Sequence, residues 1–157
     1  MVKRTSMDKA PCPIARSLDA IGDWWSLLIV REAFGNVRRF NEFQKRLGLA
    51  KNILAARLRD LVAEGILEMQ PASDGSAYQE YVLTKKGRRL VTVMIALWQW
   101  GEENLFEPGE VPTRLLDKET RQPLRKLQLQ TADGHPVRPS DIMIGAPAPV
   151  PELRARK

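Results

Sequence analysis

Residues 38–84 decide the fold; they read RRFNEFQKRLGLAKNILAARLRDLVAEGILEMQPASDGSAYQEYVLT. The first part of this stretch has the spacing of a short helix, because the apolar residues Phe40, Phe43 and Leu47 recur on one helical face. Gly48 follows at once and is typical of the residue that ends a helix. A short helix that ends at Leu47 in a tight turn is therefore predicted.

A second helix is predicted from Ala50 to Glu64. Leu54, Leu58 and Leu61 repeat the same spacing, so these three leucines are expected to face the core. Two short helices joined by a glycine turn make a helix-turn-helix, whose second helix enters the major groove in DNA-binding proteins.

Two extended runs follow the second helix and predict a β-hairpin. Residues 66–70 and 78–83 have strand-like composition, and residues 71–75 between them, PASDG, have the composition of a turn. A hairpin in this place is the wing of a winged helix-turn-helix. The predicted fold class is α+β, mainly α: a winged helix-turn-helix with a long C-terminal dimerisation helix and a small β appendage. Its predicted partner is double-stranded DNA.

The helix-turn-helix is also strongly basic. Between Arg38 and Arg59 there are seven basic residues and one acidic residue, Glu42, whereas the whole chain has a net charge of +6. A basic helix pair on a domain that is close to neutral overall indicates a surface that attracts a polyanion. A solvated helix face is the alternative, and the coincidence with a helix-turn-helix pattern favours DNA.

The outer face of the second helix carries the residues predicted to read bases. Asn52, Ala56 and Arg59 lie opposite the buried leucines, with Ala55 beside them and Lys51 at the helix start. Asparagine can pair with adenine, an alanine methyl can meet a thymine methyl, and lysine or arginine can reach guanine or phosphate. All five residues are therefore candidate DNA contacts.

Other candidate contacts flank this helix. Arg38 and Arg39 lie where contacts to backbone phosphates are expected, and Ser76 or Tyr78 on the wing are candidates for the minor groove. Arg57 has two equal interpretations, a DNA contact or an ion pair on the helix surface. The candidate partners of that ion pair are Asp60 and Glu64.

The segment before the helix-turn-helix predicts two further helices. Residues 1–10 are a polar, basic tail, and Pro13 suits the first position of a helix. The predicted buried face of that helix consists of Ile14, Leu18 and Ile21. Residues 24–30, WWSLLIV, are apolar nearly all round, so they predict the central helix of the core.

A last long helix is predicted from Lys85 to about Leu105, with Thr84 as its cap. Two apolar stripes run along it, and one of them can face the core of its own chain. The other would leave an exposed apolar patch on a monomer, which usually marks a partner surface. A homodimer is therefore predicted, with the interface candidates Met94, Leu97, Trp98 and Leu105.

Residues 108–157 are rich in proline and predict a small β appendage. Its strand-like pieces, residues 124–131 and 136–137, flank a turn at residues 132–135. A loose tail is predicted from about Gly145. The predicted organisation is a basic tail over residues 1–10, a DNA-binding and dimerisation domain over residues 11–107, and the appendage over residues 108–157.

Composition limits the other functional classes. No apolar stretch has the length of a membrane helix or a signal peptide, so a cytoplasmic location without a membrane partner is predicted. A single cysteine, Cys12, leaves no intrachain disulfide and no zinc site built from several thiolates. Catalytic motifs are absent from the sequence, so neither an enzyme nor a cofactor is predicted.

Three blocks in this order resemble the HxlR-type winged-helix regulators of bacteria. They are CPIARSLDAIGDWWSLLIVRE, RRFNEFQKRLGLAKNILAARLRDLVAEGIL, and YVLTKKG before a helix that ends WGEE. The resemblance runs from Cys12 to about Leu105. It implies a dimeric, sequence-specific transcriptional regulator with the 50–64 helix in the major groove, and a reactive electrophile or small metabolite as effector.

Two departures from the family pattern have consequences. Ala50 stands where the family usually has a serine cap, which removes a contribution of about 1 kcal/mol to the helix. Some relatives have a zinc ribbon in the region of residues 115–137, but this chain has no cysteine there. His135 by itself cannot hold a structural zinc ion, which needs about four ligands, so a metal-free appendage is predicted.

Cys12 is a candidate sensor of oxidants or electrophiles. It precedes Pro13 at a predicted helix start, where the helix dipole and the nearby Lys9 and Arg16 would stabilise a thiolate. The resemblance points the same way, because some HxlR-type regulators sense such compounds through a cysteine at this position. The alternative is a small residue buried under the dimer helix.

A second functional class stays open beside the regulator. A small-molecule-binding module with little DNA-binding function would use an aromatic pocket at the dimer interface. The candidate lining is Trp24, Trp25, Met94, Trp98 and Trp100. Aromatic residues at helical spacing more often belong to a core, so the regulator is favoured.

Overall fold

The computed structural model of the chain describes residues 6–110 and 113–145. The chain divides into two compact units, Met1–Pro112 and Thr113–Lys157. The predicted domain boundaries after residues 10 and 107 stay predictions. Nearly all of the predicted loose tail, and the first half of the predicted basic tail, lie outside the described residues.

The first unit combines helices with one hairpin. Its elements are α1 (Pro13–Ile21), α2 (Trp24–Phe34), α3 (Phe40–Leu47), α4 (Lys51–Ala63), β1 (Leu67–Pro71), β2 (Gln79–Leu83), α5 (Lys85–Arg88) and α6 (Val91–Asn104). In the described residues the two strands form a single antiparallel sheet. This element order confirms the predicted winged helix-turn-helix.

Helix α2 is the central helix of this unit, as predicted. Ile29 and Val30 are fully buried, and the helix contacts α1, α3, α4, α6 and β2. Asp23 fixes its start, because one carboxylate oxygen accepts the backbone N–H groups of Trp25 and Ser26 at 3.0 and 3.1 Å. Such a cap satisfies N–H groups that have no partner within the helix.

Helices α3 and α4 form the predicted helix-turn-helix. The turn starts at Gly48, whose φ of 66° lies in the left-handed region that glycine adopts without strain. Helix α4 follows Ala50, which provides no side-chain cap. The side chains that anchor the two helices in the core are Phe43, Leu54, Leu58 and Leu61. Burial of the three leucines on one side of α4 turns its other side to solvent.

Strands β1 and β2 form the predicted wing. Their register begins with Leu67 opposite Leu83, and Gly75 in the connecting turn has a φ of 74°. The backbone N–H of Tyr81 donates to the carbonyl of Arg38 at 2.8 Å. The hairpin is therefore attached directly to the chain that enters α3.

Helix α1 begins at Pro13 as predicted, but its predicted buried face is wrong. Ile14 and Leu18 are 68% and 48% exposed, and Ile21 is the buried residue of the helix. Ile21 belongs to the core cluster, whereas the earlier part of α1 extends beyond it. An apolar face of α1 is thus left uncovered in the single chain.

The single long helix predicted over residues 85–105 is wrong, because the segment forms two helices, α5 and α6. The predicted cap is confirmed: Oγ1 of Thr84 accepts the N–H of Gly87 at 3.0 Å, and it donates to the carbonyl of Gly65 at 2.6 Å. A Cβ on Gly87 would lie 2.1 Å from the carbonyl oxygen of Ile66, so this close approach needs glycine. Helix α5 is thereby fixed against the hairpin, and the chain turns before α6 begins.

The second unit has little regular structure in its described part. Its elements are isolated antiparallel bridges that join Leu116 to Pro123 and Gln130 to Pro136, and a 3-10 helix, Pro139–Asp141. The predicted turn over residues 132–135 is confirmed, since the N–H of Thr131 donates to the carbonyl of His135 at 2.9 Å. The predicted strand over residues 124–131 is wrong beyond one bridge. None of the described residues of this unit is buried, so no packed face supports a strand.

Candidate nucleic-acid interface

The outward side of α4 is polar and lacks internal partners at the predicted base-reading positions. Lys51, Asn52 and Arg59 are exposed, and within the described residues their side chains make no hydrogen bond or ion pair. Ala55 and Ala56 are half-buried between them. The three polar side chains are therefore available to a ligand.

Arg57 lies on the same helix but is held by the protein itself. Its Nη1 lies 3.2 Å from Asp60, and its Nε lies 3.0 Å from Asp23, the cap of α2. The ion-pair interpretation is thus the arrangement seen, with Asp60 as one partner. Glu64, the other candidate, lies 3.8 Å from Lys86 instead. Asp23 was missed as a partner, because it is distant in sequence.

Arg38 and Arg39 precede α3 and connect it to two acids of the wing. Arg39 forms an ion pair with Asp74 through Nη2, and its Nε lies 3.6 Å from Glu80. Arg38 approaches the same Glu80 at 3.5 Å through Nη1, and its Nε donates to Asn36 at 3.0 Å. Both predicted phosphate-binding arginines are therefore paired with acids. We call Arg38, Arg39, Asp74 and Glu80 the wing cluster.

Glu80 is the buried member of the wing cluster. Its side chain is 4% exposed, and Ser73 donates a hydrogen bond to it from Oγ at 3.2 Å. A buried carboxylate needs such partners, because removing a charge from water is costly. Sequence reasoning missed Glu80. Local sequence does not distinguish it from Glu68, which lies exposed on the facing strand.

The wing turn places Asp74 and Tyr78 next to Arg39. The Ser76 hydroxyl and the Arg39 guanidinium hold the pKa of Asp74 well below its usual range, and the ion pair with Asp74 raises the pKa of Arg39. The guanidinium carbon lies 5.8 Å from the ring centre of Tyr78, within cation–π range. Tyr78 is exposed and Ser76 is half-buried, so Tyr78 is the more accessible of the two predicted wing contacts.

Glu42, the one acid in the basic stretch, organises the start of α3. Its carboxylate accepts the backbone N–H groups of Arg39 and Arg38 at 3.1 and 3.3 Å. These hydrogen bonds favour the charged form and lower the pKa of Glu42 below its ordinary value of 4.5. Glu42 therefore positions the backbone of both arginines.

The predicted dimer residues differ in exposure. Leu97 and Leu105 are 47% and 67% exposed, whereas Trp98 is half-buried and Met94 packs against the core of its own chain. No residue of α6 is buried, although the helix has 14 residues. Leu97 and Leu105 are thus the most accessible of the four, Met94 is partly buried against its own core, and all four stay predicted interface residues.

The aromatic residues suggested as a pocket differ in exposure, and Trp25 and Trp98 are half-buried in the single chain. Trp24 and Trp100 are more than half exposed. Trp24 lies against Trp25 with ring centres 4.7 Å apart. An enclosed aromatic pocket would therefore need a second chain, and it stays a prediction.

Cys12 is exposed and occupies the cap position of α1, where its side chain makes no capping hydrogen bond. The interpretation as a buried residue does not hold in the single chain. Arg16, one of the cations expected nearby, donates from Nε to the carbonyl of Ala10 at 2.5 Å. The thiol is accessible, and its reactivity stays a prediction.

Neither a membrane-crossing helix nor a metal cluster occurs in the described ranges. No helix there is long and apolar enough to cross a membrane. No group of three or more His, Cys, Asp or Glu side chains there is placed to hold a metal ion. The predicted cytoplasmic location and the metal-free appendage stay predictions.

The helix-turn-helix, the wing and α6 all fall within one family match. The HxlR-like helix-turn-helix family model matches residues 20–108, more than half of the chain. The chain belongs to this HxlR-like family. The resemblance seen in the three sequence blocks is thus confirmed.

Relatives in this family carry regulator names. Mb3122 of Mycobacterium bovis, named an uncharacterized HTH-type transcriptional regulator, is 41% identical over 102 residues, which are 65% of this chain and 65% of the relative. YybR of Bacillus subtilis has the same kind of name and is 32% identical over 98 residues, 62% of this chain and 78% of the relative. The match therefore spans slightly less than two thirds of the mycobacterial relative. Neither name is that of an enzyme.

Solved structures of similar proteins differ in how much of the chain they cover. PA1607, proposed to be a transcription factor, is 52% identical with a TM-score of 0.85 and covers 90% of this chain and 99% of its own. PA1374 from Pseudomonas aeruginosa is 38% identical, with a TM-score of 0.63 over 90% of this chain and 96% of its own. The redox regulator HypR in its oxidized form is 32% identical, with a TM-score of 0.54, and covers 59% of this chain and 97% of its own. The first two matches are long enough to include part of the second unit.

Proposed function

We propose that this chain is a dimeric transcriptional regulator that binds specific DNA sequences through α4 and the wing. The observation that carries the proposal is the exposed side of α4, where Lys51, Asn52 and Arg59 have no partner among the described residues. The opposite side of this helix is fixed in the core, as in a recognition helix that presents side chains to the major groove. Membership of a helix-turn-helix family supports the same function.

Within this proposal the contacts divide by position. Lys51 and Asn52, at the N-terminal end of α4, read base edges in the major groove. Arg38 and Arg39 bind backbone phosphates, which position the protein without reading sequence. Tyr78 extends from the wing towards the minor groove. Arg57 has a structural role, because it connects α4 to the start of α2.

A homodimer centred on α6 completes the proposal. Helix α6 buries none of its residues in its own chain, and it has exposed apolar side chains at Leu97 and Trp100, with Leu105 directly after its last residue. Apolar area removed from water stabilises by about 25 cal/mol per Å², so association through these side chains is favourable. Two copies would present paired recognition helices to half-sites roughly 34 Å apart.

The proposed effector is an oxidant or electrophile that reacts with Cys12. Support comes from the exposed thiol and from the similarity to the redox regulator HypR. Because the chain has a single cysteine, no intrachain disulfide can form, and the expected products are an adduct, a mixed disulfide, a sulfenic acid, or a disulfide between two chains. Each product changes the size or polarity of the cap position of α1.

Fluorescence anisotropy with labelled duplexes tests DNA binding. Fragments of the promoter of the protein's own gene are compared with a random-sequence duplex between about 50 and 200 mM salt. We expect one fragment to bind at least about 1,000-fold more tightly than the random duplex, and both affinities to fall as salt rises. An affinity that stays flat with salt for every duplex contradicts the proposed function.

The effector proposal is tested on the complex with the preferred promoter fragment. Diamide or a quinone is added to wild type and to Cys12→Ser, and DNA release is measured. Release from wild type alone is expected, since only that protein has the thiol. Equal release from both proteins, or no release while mass spectrometry shows Cys12 unmodified, would exclude Cys12 as the sensor.

A further inference from the structure

The two acids of the wing cluster differ in how firmly they are held. Glu80 is almost fully buried and contacts Arg38, Arg39 and Ser73. Asp74 lies at the hairpin turn with a side chain that is 51% exposed, and Arg39 is the arginine it pairs with. The Asp74 side chain can therefore rotate away from Arg39 into solvent. A similar rotation of Glu80 would break its contacts with Arg38, Arg39 and Ser73.

Arg39 is accessible to an incoming anion while it is paired. Its side chain is 35% exposed and lies beside the exposed ring of Tyr78. A phosphate that approaches this side of the wing meets a guanidinium whose Nη2 already holds the carboxylate of Asp74. A phosphate oxygen can take the Nη2 position only if Asp74 moves away, whereas Glu80 contacts the guanidinium through Nε.

We propose that Asp74 competes with DNA phosphates for Arg39 and thereby limits the sequence-independent affinity of the protein for DNA. The proposal rests on the DNA-binding function proposed above. In the free protein Asp74 binds Arg39, and in the complex a phosphate oxygen takes its place. Glu80 stays in contact with both arginines throughout.

The strengths of the two contacts favour this exchange. An exposed ion pair contributes a factor of roughly 1.4 to 5 to an equilibrium constant, so a phosphate can displace Asp74 at low cost. The same displacement at Glu80 would remove one of the cations that pair with a buried carboxylate, which is more costly. Asp74 is thus the acid whose removal should change DNA affinity without disrupting the wing.

Asp74 also has a structural contact, and the test must separate it from the competition. One of its carboxylate oxygens accepts the backbone N–H of Ser76 at 3.0 Å, which shapes the turn. Asparagine keeps an acceptor oxygen in this position and removes the negative charge. Asp74→Asn therefore tests the charge, and Asp74→Ser, which also keeps an acceptor, is a second variant.

The experiment measures binding of the full chain to a random-sequence duplex of about 30 base pairs over a range of salt. We expect Asp74→Asn and Asp74→Ser to bind about 2- to 5-fold more tightly at about 0.1 M salt. The slope of log affinity against log salt should steepen by less than about 0.9, because the displaced carboxylate of wild type stays near the phosphate and offsets part of the Arg39 charge, whereas the variants have no such charge.

Two controls show whether the gain belongs to Arg39. Glu68→Gln removes the same charge from an exposed position on β1, where Glu68 has no ion pair among the described residues, and its effect should be less than about 1.5-fold. In an Arg39→Ala background, Asp74→Asn should give no gain beyond that of this control.

The possible failures are distinguishable. Unchanged or weaker binding by both Asp74 variants overturns the proposal, as does an equal gain from Glu68→Gln or a gain that persists without Arg39. In these cases a salt-dependent wild type would leave the proposed DNA-binding function intact. Salt-independent binding by wild type overturns both.

Discussion

Helices α4 and α6 have nearly the same length, 13 and 14 residues, but opposite burial. Helix α4 inserts Leu54, Leu58 and Leu61 into the core, and its remaining surface is polar at Lys51 and Asn52. Helix α6 buries no residue, and much of its remaining surface is apolar. Among the described residues, helix α4 thus exposes polar side chains without a partner, whereas α6 exposes apolar side chains without a partner.

This difference in burial indicates which kind of partner each exposed surface favours. A polar surface on a helix that is already anchored gains little from further burial, so its side chains are free to make directional contacts with base edges. An apolar surface on a weakly anchored helix gains from any contact that removes it from water.

The largest expected effect is on the anchored side of α4. Leu58→Ala should lower the free energy of unfolding by about 2 to 5 kcal/mol, because it leaves a cavity in a fully buried site. Urea unfolding followed by circular dichroism measures the change. Ile53→Ala, on the exposed part of the same helix, should cost less than about 1 kcal/mol. Similar losses for the two variants would show that α4 is not anchored on one side.

The next effect concerns the partner surface of α6. Leu97→Glu should convert the proposed dimer to monomers, because an interface would have to bury a carboxylate without a partner. Size-exclusion chromatography with light scattering gives the mass in solution. Thr92→Glu adds the same charge to an exposed position of α6 and should remain dimeric. If Leu97→Glu is still a dimer, the interface lies elsewhere, with the exposed face of α1 as the next candidate.

A smaller effect is expected on the outward side of α4. Asn52→Ala should cost about 1 to 3 kcal/mol in binding to the preferred promoter fragment and leave the affinity for random DNA nearly unchanged. Anisotropy titrations on both duplexes measure this difference. Arg59→Ala is the comparison, since loss of a cation should weaken binding to both duplexes and reduce the salt slope. Equal losses on both duplexes for Asn52→Ala would exclude a base contact.

The smallest effect concerns the start of α3, and it depends on pH. Because hydrogen bonds lower the folded pKa of Glu42, its carboxylate stabilises the fold fully above its ordinary pKa, and this contribution is lost as pH falls through the lowered value. Glu42→Gln should therefore reduce Tm at neutral pH, and the difference from wild type should shrink progressively below pH 4.5. If the difference in Tm between Glu42→Gln and wild type instead grows as pH falls, the charged carboxylate of Glu42 does not stabilise the fold.

Sequence reasoning succeeded where the signal is local. The spacing of Leu54, Leu58 and Leu61 predicted the buried side of α4, because residues three or four apart lie on the same face of a helix. Gly48 predicted the turn before this helix. The wing was predicted equally well, since Gly75 and the strand-like runs around it lie close together in the chain.

Long-range contacts could not be predicted in this way. Arg57 pairs with Asp23, and Glu80 pairs with Arg38 and Arg39, across separations that leave no periodic pattern. The exposure of Ile14 was also missed, because an apolar helix face looks the same in sequence whether its own chain or a second chain covers it. Because the ion pairs of the wing cluster are long-range, the proposed site contains more acids than the sequence indicated.

One oxygen atom of Asp23 serves two helices at once. It accepts two backbone N–H groups at the start of α2, and it lies 3.0 Å from Nε of Arg57 in the middle of α4. The two helices are therefore connected at this oxygen, so a tilt of the first turn of α2 must either move α4 with it or break the contact at Arg57. Asp23→Asn keeps an oxygen for the cap but removes the charge that holds Arg57. This substitution would thus break the contact between Asp23 and Arg57 and leave both helices formed.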